Sequence, residues 1–213
     1  MVGARQWLAA AADLLAPACC AGCGEPREGE SALCLCCRLG LPSTVWPVEP
    51  PEGCRSAHFF VPYDHVVGVA WRRGKYRPDP WAVDAVVEGV RGSLGLLPGV
   101  DAVVPVPQDL VASWRRGFFP VGRLADGVAR ELGAPRLDLL RRRGGPAQAG
   151  LERHERLPSA LRVYRARGER ALDDVLLVDD VLTTGATATA CATELLCAGV
   201  RRVHLLVICH AFA

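Results

Sequence analysis

The thirteen residues from 175 to 187, reading VLLVDDVLTTGAT, constrain the fold more than any other stretch of the chain. Four consecutive apolar residues predict a strand buried on both faces, which demands cover above and below its sheet. Asp179 and Asp180 stand at the carboxyl end of that strand, where the loops of open α/β sheets border a ligand crevice. Residues 181–187 predict a turn entering a helix, so that free backbone N–H groups and the positive helix end face the same crevice. That combination is an anion site. Gly185 lets the backbone from Leu182 through Ala186 approach an anion closely, and the hydroxyls of Thr183, Thr184 and Thr187 can add hydrogen bonds. Two carboxylates would repel a bare phosphate, but they suit the 2′ and 3′ hydroxyls of a ribose whose 5′-phosphate lies in the loop, and they can hold Mg(II) indirectly. Without such a ligand, the pattern is a strand ending in two carboxylates before an ordinary capped helix.

The surrounding chain alternates in a compatible way. Short apolar runs at 66–70, 102–106, 175–178 and 203–209 read as strands. Between them Val121, Leu124, Ala125, Val128, Ala129 and Leu132 follow helical spacing, with Pro120 to open the helix and Gly133 to close it. Ala188, Cys191, Ala192, Leu195 and Leu196 repeat the pattern, and Gly199 marks the expected end. The expected fold class is α/β, a largely parallel sheet with helices on both faces.

The ten cysteines divide into two populations. Seven fall between Cys19 and Cys54, and four of those form paired C-x-x-C motifs, Cys20 with Cys23 and Cys34 with Cys37, separated by ten residues. This is metal-ligand spacing, with each turn presenting two thiolates to one tetrahedral Zn(II). Gly24 supplies the positive φ that such a knuckle uses. Cys19 and Cys36 are spares, and Cys54 is more distant. Disulfide bonding is the competing explanation, and it needs an oxidising compartment. The expected role of the zinc is structural, because a segment this small lacks a core of its own. Cys191, Cys197 and Cys209 lie in apolar segments, where a thiol acts as a small hydrophobe.

A length of 213 residues accommodates one main domain and one small module. With 50% hydrophobic and 23% charged residues the chain reads as globular, and its net charge of +2 lends no support to nucleic-acid binding by bulk electrostatics. No stretch is apolar enough to span a bilayer, and a cytoplasmic protein is expected. The opening segment places Trp7, Leu8, Ala11, Leu14 and Leu15 on one face of an expected helix, and Asp13 interrupts what would otherwise read as a signal peptide. Residues 47–51, rich in proline, suit a linker. Lys75 is the only lysine among many arginines, which singles out its compact ammonium.

The thirteen-residue pattern resembles the phosphoribosyl-pyrophosphate (PRPP) signature of type I phosphoribosyltransferases. Nearly the full length is similar to the ComF (GntX-like) family, whose members join a cysteine zinc module to a phosphoribosyltransferase domain. The matching pieces are the paired C-x-x-C motifs, Lys75-Tyr76-Arg77, Val104-Pro105-Val106-Pro107, Arg116-Gly117-Phe118, Gln148 with Leu151 and Arg156, and the PRPP motif itself. Pro78 and Phe119 depart from residues common in the family. The resemblance implies an N-terminal helix, four-cysteine zinc module and linker over residues 1–53, and a type I phosphoribosyltransferase-like domain over 54–213. It also implies that residues 71–79 form a loop closing over PRPP, with Lys75 and Arg77 as catalytic cations at the pyrophosphate. The loop after Val104 and the residues Arg115 and Arg116 would meet the same anion. The arginine run 141–143 and residues 148–156 would border the acceptor, contact a nucleic-acid backbone, or form a solvated face.

Two functions follow from the resemblance. One is transfer of ribose 5-phosphate from PRPP to an unknown acceptor, with Mg(II) present and pyrophosphate released. The other is a non-catalytic sensor or adaptor in competence and DNA uptake, with DNA-uptake proteins or single-stranded DNA as partners.

Overall fold

The computed structural model describes residues 19–26, 31–76, 79–109, 117–142 and 163–211. The expected N-terminal helix lies outside them. In chain order the elements are α1 (Leu35–Leu39), β1 (Trp46–Val48), β2 (Ser56–Pro62), α2 (Val66–Tyr76) and α3 (Pro80–Arg91). A 3₁₀ turn (Leu94–Leu96) leads to β3 (Ala102–Pro105) and α4 (Pro120–Leu132). Then come β4 (Leu140–Arg142), β5 (Tyr164–Ala166), β6 (Leu172–Leu182), α5 (Ala186–Cys197) and β7 (Val200–His210).

The central sheet runs β1-β2-β7-β6-β3. Strands β2, β7, β6 and β3 are parallel neighbours, and β1 joins the edge antiparallel to β2. Strand alternation divides the apolar residues between two cores. On one face Phe60, Leu176, Val178, Leu206 and Ile208 pack with Trp71, Val83, Val86, Leu124 and Val128 from α2, α3 and α4. On the other, Phe59, Val175, Leu177, Leu205 and Val207 meet Ala188, Cys191, Ala192 and Leu195 of α5. The sheet is therefore covered on both faces, as its continuous apolar strands require. No helix among the described residues is long and apolar enough to cross a membrane.

Two local expectations are corrected. Residues 66–70 belong to α2 and not to a strand: Val67, Ala70, Trp71 and Gly74 are buried at helical spacing, which overrides the β-branched run. The helix lies so close to the sheet that a Cβ at Gly68 would come within 2.8 Å of the Tyr63 carbonyl oxygen. Residues 46–48, which overlap the expected linker at Pro47 and Val48, form β1, in register with Phe59, His58 and Ala57. Pro47 is tolerated there because an edge strand needs no N–H on its open side. The cysteine segment also packs on the main core, since Cys20, Leu33, Cys37 and Val45 share one cluster with α2, α3 and α4.

Helix α4 has the expected ends, Pro120 in its first turn and Gly133 left-handed with φ of 64° at its C-cap. It crosses α3 at Gly127, where a Cβ would run into the Val87 side chain. Gly127→Ala is therefore expected to lower unfolding stability by about 1–3 kcal/mol. Gly95, with nothing near its missing Cβ, is the control and should change stability by less than about 0.5 kcal/mol on substitution by alanine. Urea unfolding of both variants checks this.

Candidate functional site

Strand β3 stops early. Its last pair is Pro105 with Val178, and the Val106 N–H donates to the Val178 carbonyl at 2.9 Å. Strand β6 runs four residues further, with Asp179, Val181 and Leu182 still paired to Val207, Cys209 and His210 of β7. Among the described residues no strand pairs with the other edge of β6 beyond Val178, so a notch opens there at the carboxyl end of the sheet. Asp179 and Asp180 therefore lie inside the strand, and the turn begins at Thr183, two residues later than the sequence suggests. The cause is β7, which extends to His210 and supplies ladder partners.

Alternation sends the two adjacent carboxylates different ways. Asp180, 7% exposed, turns toward α2 and forms an ion pair with Lys75. Asp179 turns toward α5, and its Oδ1 accepts the Asp180 N–H at 2.8 Å. Burial, and then the charge of Asp180, push the Asp179 carboxyl well above the usual carboxylate range. Burial opposes the charge on Lys75, but the Asp180 carboxylate prevails and holds the ammonium above its ordinary value.

This geometry corrects the expected closing loop over 71–79. Trp71 is fully buried and residues 71–76 are the end of α2, so Lys75 reaches the notch from a helix. Gly74 allows this: a Cβ there would come within 2.8 Å of Val83 on α3. Asp79 caps α3 by accepting from the N–H groups of Trp81 and Ala82. Arg77 and Pro78 lie outside the described residues, as do Arg115, Arg116, Arg143, Gln148, Leu151 and Arg156.

The turn after β6 carries Thr183 and Thr184, both exposed, and Gly185, left-handed with φ of 75°. Helix α5 starts at Ala186 with no side-chain cap from Gly185, and the Ala186 N–H donates to the Thr184 hydroxyl at 3.5 Å. Gly185 answers a second demand, since a Cβ there would sit 3.0 Å from Pro51 in the β1–β2 connection. Tyr164 on β5 was not singled out by sequence. Burial raises its hydroxyl to about 12, against the opposing influence of the Thr187 side chain in the first turn of α5. Only its place after a long polar connection marks it in sequence. Pro105, Val106 and Pro107 line a neighbouring cavity of about 270 Å³ together with Gln108, Phe119 and Leu140.

The cysteine site assembles as expected. The sulfurs of Cys20, Cys23, Cys34 and Cys37 all lie within 4.8 Å of one another. The Cys23 and Cys34 sulfurs are 3.8 Å apart, which matches the edge of a tetrahedron with zinc–sulfur bonds of about 2.3 Å. The Cys34 N–H donates to the Cys20 sulfur at 3.2 Å. Gly24 is left-handed with φ of 83°, although its N–H donates to the Cys20 carbonyl rather than to sulfur. Burial works against the Cys20 thiolate, but surrounding backbone N–H groups outweigh it and draw the thiol down to about 6, while burial and the neighbouring thiols push Cys37 up. Four crowded thiols with opposed tendencies are the donor set that a soft divalent cation resolves, and the group fits a metal such as zinc. Cys19 and Cys36 are exposed and outside the cluster, and Cys54 packs with the α5 core.

Purified protein is expected to carry about one equivalent of zinc by elemental analysis. Cys37→Ser should lose the metal and lower the melting temperature, because the Cys37 side chain is also part of the main core. Full retention of metal by that variant would contradict the assignment.

No protein-family model matches the chain. It is 31% identical over 110 residues to competence protein F of Haemophilus influenzae, an alignment covering 49% of this chain and 48% of that protein. It is 36% identical over 85 residues to competence protein ComFC of Streptococcus pneumoniae, covering 40% of this chain and 36% of that protein. The chain thus spans about half or less of the length of these curated relatives. Among solved structures, the glutamine PRPP amidotransferase of B. subtilis, complexed with ADP and GMP, aligns with 67% of this chain and 26% of its own. The TM-score is 0.38 and the identity 19%. Over about half its length or less the chain is thus similar to two competence proteins, and its four-cysteine group could hold a metal such as zinc.

Proposed function

We propose that the chain binds PRPP at the carboxyl end of β6 and transfers its ribose 5-phosphate to an acceptor, releasing pyrophosphate. The observation that carries this reading is the union of a helix start behind left-handed Gly185 with two carboxylates in an open sheet notch. The N–H groups from residues 183–187 would hold the 5′-phosphate, assisted by the Thr183, Thr184 and Thr187 hydroxyls. Asp179 and Asp180 would accept the ribose hydroxyls from opposite sides of the strand. Mg(II), when bound with the diphosphate, would offset its charge. Lys75 and Arg77 are assigned to the departing pyrophosphate, where cations stabilise charge that grows in the transition state.

The likeness to two competence proteins favours a second reading, in which the same site senses PRPP or a nucleotide and the protein serves DNA uptake without turnover. Pyrophosphate release measured across a panel of bases and amines separates the two. Under the first reading at least one acceptor elicits release, and Asp179→Asn or Asp180→Asn lowers PRPP affinity by about tenfold or more. Lys75→Ala and Arg77→Ala then lower turnover more than they lower affinity. Tight PRPP binding with no release on any acceptor would favour the second. Undiminished affinity in both aspartate variants would overturn the site assignment.

A further inference from the structure

The ion pair between Lys75 and Asp180 occupies the place that the proposed ribose would need. The Lys75 side chain is 24% exposed and that of Asp180 10%, so both charges are largely withdrawn from water. Each is held in place. Lys75 sits in the last turn of α2, pinned by the close approach of Gly74 to Val83 and Asp79, and Asp180 sits in β6 between Asp179 and Val181, which pair with β7. No other lysine exists in the chain to substitute.

A ribose diol is a neutral donor. If it replaces the ammonium on Asp180, the carboxylate regains hydrogen bonds, but the displaced cation loses a largely buried partner and the exchange is costly. A ligand that also brings an anion within reach of the freed ammonium returns that loss. We propose that Lys75 is a two-position cation that neutralises Asp180 in the empty site and moves to the ligand's diphosphate in the filled one, making the site selective for ribose phosphates with a 1-diphosphate over ribose 5-phosphate. The proposal rests on the ribose-phosphate reading of the notch and adds the basis of its selectivity. Lys75 then acts on binding before any chemistry: its ion pair with Asp180 is a toll that only a ligand bearing a second anion recovers.

The test compares Mg(II)-PRPP with ribose 5-phosphate by calorimetry, on the full chain and on Lys75→Gln. In wild type PRPP binds more tightly. In Lys75→Gln the displacement cost is gone, so ribose 5-phosphate tightens by about tenfold. PRPP, which loses the diphosphate contact as it gains free access to Asp180, changes by less than about threefold. Selectivity collapses from the ribose 5-phosphate side. Equal weakening of both ligands, or no change in either, overturns the two-position role while leaving the site reading intact. Failure of wild type to bind either ligand overturns the site reading itself.

A second measurement needs no variant. With one lysine in the chain, labelling lysine with ¹³C at Cε gives a single side-chain NMR signal. Saturation with Mg(II)-PRPP should move it to a new position, and ribose 5-phosphate should move it toward the shift of a solvated lysine. A signal that stays fixed on saturation with PRPP overturns the proposal.

Discussion

The parallel ladder between β6 and β7 is the constraint on which the rest of the molecule depends. Both strands are eleven residues long, and their central residues are fully buried on alternating faces. Every other layer packs on that pair, with α2, α3 and α4 on one side and α5 on the other. The ladder also makes the site. Because β7 continues to His210 while β3 ends at Pro105, β6 projects past one neighbour and stays bonded to the other. Asp179 and Asp180 are thereby fixed by backbone hydrogen bonds along an edge that is open to a ligand. A loop bearing the same residues would hold them less rigidly.

The four-cysteine segment and the central sheet share one core. Cys20 and Cys37 are buried beside α2, and the Arg73 guanidinium donates to the Ala21 carbonyl at 3.2 Å. The cysteine turns thus lie along α2, against Val66 in its first turn and against Arg73 in the last turn, which also carries Lys75. A metal held by those turns would steady the helix that delivers the only lysine to Asp180.

Much of this was legible in the sequence because a few patterns allow little freedom. The run from Val175 to Val178 reads as a doubly buried strand and is one, and the turn into a helix, expected from residue 181, follows at Thr183. The paired cysteine spacing brought four sulfurs together without tertiary information. What stayed illegible depends on partners distant in sequence. Val66, Val67 and Val69 suggest a strand by propensity, yet Val67, Ala70, Trp71 and Gly74 line the buried side of a helix once the sheet is there to receive them. Pro47 and Val48 look like linker until His58 and Ala57 stand opposite. The extension of β6 past its aspartates depends on the length of β7. Lys75 was conspicuous as a lone lysine, but its pairing with Asp180, 105 positions away, is visible only in the folded chain.

A crystal structure of the protein grown with Mg(II) and PRPP tests the central claim most directly. The account predicts 5′-phosphate density within hydrogen-bond reach of the backbone N–H groups from Thr183 to Thr187, the ribose diol against Asp179 and Asp180, and the Lys75 ammonium on the diphosphate. PRPP bound elsewhere, or a filled notch in which no phosphate meets the start of α5, would contradict it.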